Sequence, residues 1–303
     1  MRRIWRLVFV VTSLGFMLWV LVWQWRQIRG LHWDARPGLL LLALVLLVAM
    51  FFLDALGWHL VLRALGVRAN ALANIRTWML SSLGRYMPGA VWGFVGRIAM
   101  STEQGIPATT AVLALYLETL AMCAGAFTVG LPAAILAADF PLQPRTAVLA
   151  VALVLLLLQP RTLALLRYIP GKIGHVFENA KLPSATRVFS LYLYYTGFWA
   201  AFGFVFVVFI ASLQTVPSQA VLPLGGSMGL SFALGFVAVF APGGLGVRES
   251  ALYFLMLPYL PPSACLLIAI GSRLWIMAGE AVSLLLALCL WRFRNQPGRE
   301  SQV

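Results

Sequence analysis

Leu83-Gly84-Arg85-Tyr86-Met87-Pro88-Gly89-Ala90-Val91-Trp92-Gly93-Phe94-Val95-Gly96-Arg97 and Phe240-Ala241-Pro242-Gly243-Gly244-Leu245-Gly246-Val247-Arg248-Glu249 are the stretches whose reading decides the fold. Each lies inside a longer apolar run, and each carries Pro-Gly, a nearby glycine and then arginine. Proline has no N–H to donate and glycine accepts backbone shapes other residues resist, so a helix stops there. The backbone groups freed at such a break are tolerated at membrane depth only inside protein or beside water. The segments 72–101 and 220–258 therefore read as re-entrant hairpins of two partial helices each. Glu118 follows Pro88 by 30 residues and Arg273 follows Pro242 by 31, a spacing that fits an inverted repeat. Broken helices at matching places in two halves point to a transporter's binding site.

Working outward, the rest of the chain is apolar. Of 303 residues 62% are hydrophobic and 10% charged, and the mean hydropathy is +0.91. Soluble domains average about 45–50% apolar and about 25% charged residues. The expectation is one all-α polytopic membrane domain over residues 1–303. A span needs about 20 apolar residues, which gives full spans near 7–25, 38–60, 107–136, 145–160, 188–212 and 262–291. The first of these follows Met1-Arg2-Arg3 and is too long for a signal peptide with no A-x-A site after it, so it reads as an uncleaved span. The segment 160–187 is a basic cytoplasmic connection, read either as an ordinary loop or as carrying a short interfacial helix. Residues 293–303 form a polar C-terminal tail.

The net charge of +13 comes from 22 Lys and Arg against 9 Asp and Glu. Basic residues cluster between apolar stretches, where they set topology and meet anionic headgroups. With the N-terminus inside, Arg2, Arg3, Arg6, Arg63, Arg68, Arg76, Arg161, Arg167, Lys172, Lys181, Arg187, Arg292, Arg294 and Arg299 fall inside. Arg26, Arg29, Arg36 and Arg145 fall outside. The bias holds only if 72–101 returns to its own side, and it places both termini in the cytoplasm. No soluble basic segment alternates with aromatics, so nucleic acid is not an expected partner.

Charge inside a membrane is costly and usually faces the bundle interior or a water-filled cavity. The candidates are Asp54, Arg85, Arg97, Glu118, Arg248, Glu249, Arg273 and Glu280, four cations and four acids. Two readings stand open: ion pairs that only fix helix packing, or a polar cavity that receives an anion. Arginine grips phosphate with a planar fork, and a helix N-terminus after Pro-Gly offers N–H groups to the same ligand. The expected headgroup site comprises Arg85, Pro88, Gly89, Gly93, Arg97, Glu118, Pro242, Gly243, Gly244, Gly246, Arg248, Glu249, Arg273 and Glu280. The glutamates would hold the arginines or exchange protons.

These two strings, with Glu118 and the Arg273/Glu280 segment, resemble the transmembrane region of lysylphosphatidylglycerol synthases, the flippase-like family. The resemblance runs over about residues 5–292. It implies an all-helical membrane fold with re-entrant hairpins and a role in moving lipids between leaflets of a bacterial or archaeal inner membrane. Full-length synthases add a cytoplasmic domain that transfers lysine to the lipid. This chain is expected to lack that half and to act as a transporter rather than an enzyme, on phospholipids, polyprenyl-phosphate sugars or other glycolipids.

The alternatives are an intramembrane enzyme on a lipid-linked substrate, with Glu118, Glu249 or Glu280 as acid or base, and a non-catalytic partner of a separately encoded lipid synthase or glycosyltransferase. Gly225-Gly226-Ser227-Met228-Gly229 fits the G-x-S-x-G nucleophile pattern. That elbow requires a preceding strand, and small residues here are ordinary helix-packing surface. HExxH and P-loop motifs are absent from the sequence, and Cys123, Cys265 and Cys289 lie far apart inside apolar stretches. No catalytic residue, metal or cofactor is expected.

Overall fold

The computed structural model describes residues 35–86, 91–136, 182–238 and 246–294, with Val22 and Tyr168 as isolated positions. The expected spans 7–25 and 145–160, the connection 160–187 as far as residue 181, and the tail from 295 lie outside the described residues. Pro88, Gly89, Pro242, Gly243 and Gly244 also lie outside them.

The described residues form the α-helices α1 Pro37–Ala64, α2 Ala71–Ser82, α3 Trp92–Glu103, α4 Ala108–Leu136, α5 Ala185–Ala211, α6 Val221–Val237, α7 Val247–Met256 and α8 Pro262–Arg294. Single 3-10 turns, Leu83–Tyr86 and Ser218–Ala220, end α2 and lead into α6. Among the described residues, five stretches are long and apolar enough to cross a membrane: Pro37–Ala64, Ala108–Leu131, Ala185–Ala211, Ser218–Val237 and Pro262–Cys289. The expected spans at 38–60, 107–136, 188–212 and 262–291 therefore stand within a few residues.

The first broken segment doubles back on itself. α2 and α3 have 12 residues each, about 18 Å at 1.5 Å per residue, well short of the roughly 30 Å hydrocarbon core. Just past α3, Gln104 bonds the Thr77 hydroxyl and reaches the Ala73 carbonyl at 3.5 Å. The end of the second arm thus lies beside the start of the first, as a re-entrant hairpin requires. The arms touch at two glycines: a Cβ on Gly84 would lie 2.5 Å from the Gly93 nitrogen. The second broken segment is unequal. Its first arm, Ser218–Val237, is long enough to cross, whereas α7 has only 10 residues. The two arms are therefore of unequal length, because the break comes late in the apolar run.

α5 sits at the centre. It runs antiparallel to α1, tied at one end by Arg36 N–H to the Ser212 carbonyl at 2.8 Å and at the other by Arg187 Nη1 to the Ala64 carbonyl at 3.0 Å. Its aromatic face carries Phe198, Trp199, Phe202, Phe206 and Phe209, which meet Trp275 of α8 and Phe232 of α6. Small residues bring backbones together on its other sides, Gly203 against Gly225 of α6 and Gly125 of α4 against Tyr195. Such close approach drives association where lipid offers no hydrophobic gradient. Leu41, Val45, Phe204 and Leu285 are exposed, which suits contact with acyl chains.

The G-x-S-x-G string falls inside α6. The Ser227 hydroxyl is fully buried and donates to the Leu224 carbonyl at 2.7 Å in its own helix. Its glycines pack against Gly130 and Ala126 of α4 and Gly203 of α5, so the motif serves helix contact and forms no strand-to-helix elbow.

Candidate functional site

The eight charged candidates divide into three pairs and two remainders. On α3, Arg97 Nη1 meets Glu118 Oε2 of α4 at 2.5 Å, with both side chains under 10% exposed. Its guanidinium lies between two indoles, 5.1 Å from the Trp58 ring centroid and 5.3 Å from that of Trp78. Arg97 Nε donates to the Ser81 hydroxyl at 3.1 Å, and Trp78 Nε1 donates to the second Glu118 oxygen at 3.1 Å. Each charge is neutralised and hydrogen-bonded, the condition under which burial is bearable. This pair pins the second arm of the first hairpin against α4.

The other two pairs converge on α8. Arg85, in the 3-10 turn at the tip of the first hairpin, places Nη1 2.6 Å from Glu280 Oε1. The neighbouring Tyr86 hydroxyl donates to Glu280 Oε2. Arg85 stays 41% exposed, with Nε donating to the Ser82 carbonyl. Seven residues earlier on α8, Arg273 Nη1 donates to Glu249 Oε1 of α7 at 2.6 Å. Glu249 spends its other oxygen on the Gly246 N–H at 2.8 Å. Gly246 is at φ 82°, a left-handed shape that costs other L-residues about 1–2 kcal/mol. It opens α7 so that Glu249 can close over its first turn.

Two charges remain. Arg248, in the first turn of α7, has Met228 Sδ as its hydrogen-bond partner at 3.5 Å. Among the described residues no carboxylate lies within ion-pair distance of it. It is half-buried at the positive end of a helix, where a cation gains nothing from the helix dipole. The opposite remainder is Asp54 of α1, 6% exposed, whose Oδ1 is without a partner. Near it, the Trp58 Nε1 and Tyr195 hydroxyl are also buried and unpartnered, and Gly57 lets the Tyr195 ring approach α1.

The expected site residues thus take distinct places. Arg85, Glu249, Arg273 and Glu280 gather along α8, with Arg248 beside Glu249 in the sequence but unpaired to it. Arg97 and Glu118 form a separate, closed cluster. Gly93 is the contact point of the hairpin arms and Gly246 the cap of α7. Sequence reasoning missed Tyr86, Trp58, Trp78 and Ser81. Tyr86 adjoins Arg85 and could have been found as a polar aromatic inside a broken apolar run. His59, toward the end of α1, is buried and hydrogen-bonded to Asn74 of α2 at 2.9 Å.

No curated protein matches this chain. The family described as the lysylphosphatidylglycerol synthase TM region matches residues 4–279, which takes in both hairpins and runs to the middle of α8. The match and the apolar helices make this a multi-pass membrane protein with a lipid-related function. The chain belongs to the lysylphosphatidylglycerol synthase transmembrane-region family.

Proposed function

We propose that this protein moves a lipid with an anionic headgroup between membrane leaflets, and that Arg248 receives the headgroup. The observation that carries the reading is the uneven pairing: three buried or half-buried arginines are committed to glutamates, while Arg248 is not. An uncompensated guanidinium at a helix N-terminus makes a region of positive potential, and phosphate offsets both charges at once. A headgroup would replace the weak thioether contact to Met228. Arg273 lies one ion pair away, held by Glu249, and a second phosphate oxygen can compete for it. Arg85, the most exposed of the paired arginines, offers a way in from the first hairpin.

The supporting context is the family, the paired breaks in two halves of the chain, and the anchoring of both hairpins on one helix. The fitting location is the inner membrane of a bacterium or archaeon, with both termini cytoplasmic. The fitting partners are membrane phospholipids or glycolipids and a separately encoded lipid synthase. The reaction is transport, with no bond made or broken.

The test is transfer of fluorescent anionic and zwitterionic lipids in liposomes holding the purified protein. A hydrogen bond to a charged group contributes about 1.5–3 kcal/mol, so Arg248→Ala should slow anionic transfer by about 10- to 100-fold while the protein remains inserted and helical. Transfer at the wild-type rate in Arg248→Ala would remove Arg248 from the site. A chemically altered lipid, seen by mass spectrometry, would replace the transporter reading with the enzymatic one.

A further inference from the structure

At the opposite end of α1 from Pro37, the chain makes a second basic site that the transport reading does not use. We propose that Arg63, Arg68 and Arg187 form a binding site for a phosphate group, carried on an anionic lipid headgroup or on a small soluble molecule.

The three arginines line a cleft of about 560 Å³ together with Gly66, Val67 and Ala69. That volume falls within the range of about 300–1,000 Å³ typical of small-molecule sites. Among the described residues the lining holds no acid, and no carboxylate comes within ion-pair distance of any of the three. The fold assembles the cluster from two distant segments, the α1–α2 turn and the first turn of α5. Positive-inside topology asks only that basic residues lie on one side of the membrane. It does not ask that three of them share one cleft.

The cleft is also built on fixed backbone. After α1 the Gly66 N–H returns to the Arg63 carbonyl and the Val67 N–H to the Leu62 carbonyl, each at 3.0 Å. Leu62 and Leu65 are buried beneath this turn. Arg187 is held by its bond to the Ala64 carbonyl at 3.0 Å, which occupies one guanidinium nitrogen. Asn70 then starts α2 by accepting the Leu72 N–H at 2.9 Å. Arg63 and Arg68 thus rise from a rigid turn, with exposed side chains. Three planar forks around a cleft without acid suit a phosphate rather than a carboxylate, because its oxygens can engage more than one fork. Along α1 the site is nine residues from Asp54, about 14 Å, and it stands whether or not Arg248 receives a headgroup.

The test uses the full chain purified in detergent, with phosphatidate, phosphatidylcholine and inorganic phosphate as probes and native mass spectrometry as the readout. Wild type should retain phosphatidate over phosphatidylcholine. A basic residue near an anionic surface is worth about a fivefold change in affinity, so the Arg63→Ala/Arg68→Ala double variant should bind phosphatidate about 25-fold more weakly. That variant keeps the Arg187 anchor, and its helicity is checked by circular dichroism. The Arg63→Lys/Arg68→Lys variant keeps the topological charge but loses the forks, and should fall between the two. Introduced into an Arg248→Ala background, the same double change should weaken phosphatidate binding by the same factor, which separates this cleft from the α7 site. Displacement of phosphatidate by millimolar inorganic phosphate assigns the site to soluble phosphate as well, and its failure to displace assigns it to the lipid. Equal retention by wild type and both double variants would overturn the proposal, as would wild type showing no preference for phosphatidate and no binding of inorganic phosphate.

Discussion

Replacing Glu118 by glutamine separates the charges that hold the fold from those available to a ligand. Gln keeps an acceptor for the Trp78 indole, which bonds Glu118 at 3.1 Å, and it keeps the volume. What it removes is the negative charge 2.5 Å from Arg97. The guanidinium then stays between Trp58 and Trp78, 7% exposed, with a hydroxyl and two ring faces for company. Two desolvated cation–π contacts return about 1–2 kcal/mol each, less than an uncompensated buried charge costs. Breaking such a pair from one side costs about 3–5 kcal/mol, and Glu118→Gln should destabilise by that amount. Adding Arg97→Met removes the orphaned cation and fills its space, so the double variant should recover about 2 kcal/mol or more of the loss. The assay is unfolding of the purified protein in mixed micelles against increasing SDS, followed by helicity, for wild type, both single variants and the double. Additive losses, or a Glu118→Gln variant within about 0.5 kcal/mol of wild type, would refute the view that this pair acts as a unit of structure.

Three further outcomes follow from the same geometry. Asp54→Asn replaces a buried carboxyl that has no partner on Oδ1 with a neutral amide of the same shape, so the SDS midpoint should hold or rise, opposite to Glu118→Gln, despite similar burial. Gly84→Ala would drive a Cβ to within 2.5 Å of the Gly93 backbone, forcing the hairpin arms apart at about 1–3 kcal/mol, measurable in the same titration. Gly246→Ala meets no atom within 4 Å. Its cost of about 1–2 kcal/mol comes only from the left-handed backbone, and it should show as faster hydrogen exchange confined to the first turn of α7.

How far the sequence carried can be judged from particular elements. The spans at 38–60, 107–136, 188–212 and 262–291 were legible because length and apolarity are properties of one segment, and a bilayer imposes them directly. The first hairpin was legible because Pro-Gly and the charge count agreed on a return to the same side. Pairing was not legible. Arg248 and Glu249 are neighbours in the chain, yet Glu249 turns to Arg273 because Gly246 sets the first turn of α7 and α8 packs across it. Likewise Arg85 and Glu280 meet across 194 intervening positions of helix crossing that no local pattern encodes. The arginines at 63, 68 and 187 were read as markers of sidedness, since a cleft exists only once α1 and α5 lie antiparallel.

Arg273 and Glu280 are seven residues apart on α8, about 20° short of two full turns. They therefore leave the helix on nearly the same side, about 10 Å apart along its axis. One grips the second hairpin and the other the first, with the signs reversed: the helix offers a cation to a glutamate and an anion to an arginine. α8 is thus a yoke. A twist that carries one contact away from its hairpin carries the other away too, so the two hairpins share a single latch and cannot be released by separate movements of that helix. A lesion at either end frees one hairpin and leaves the other fastened.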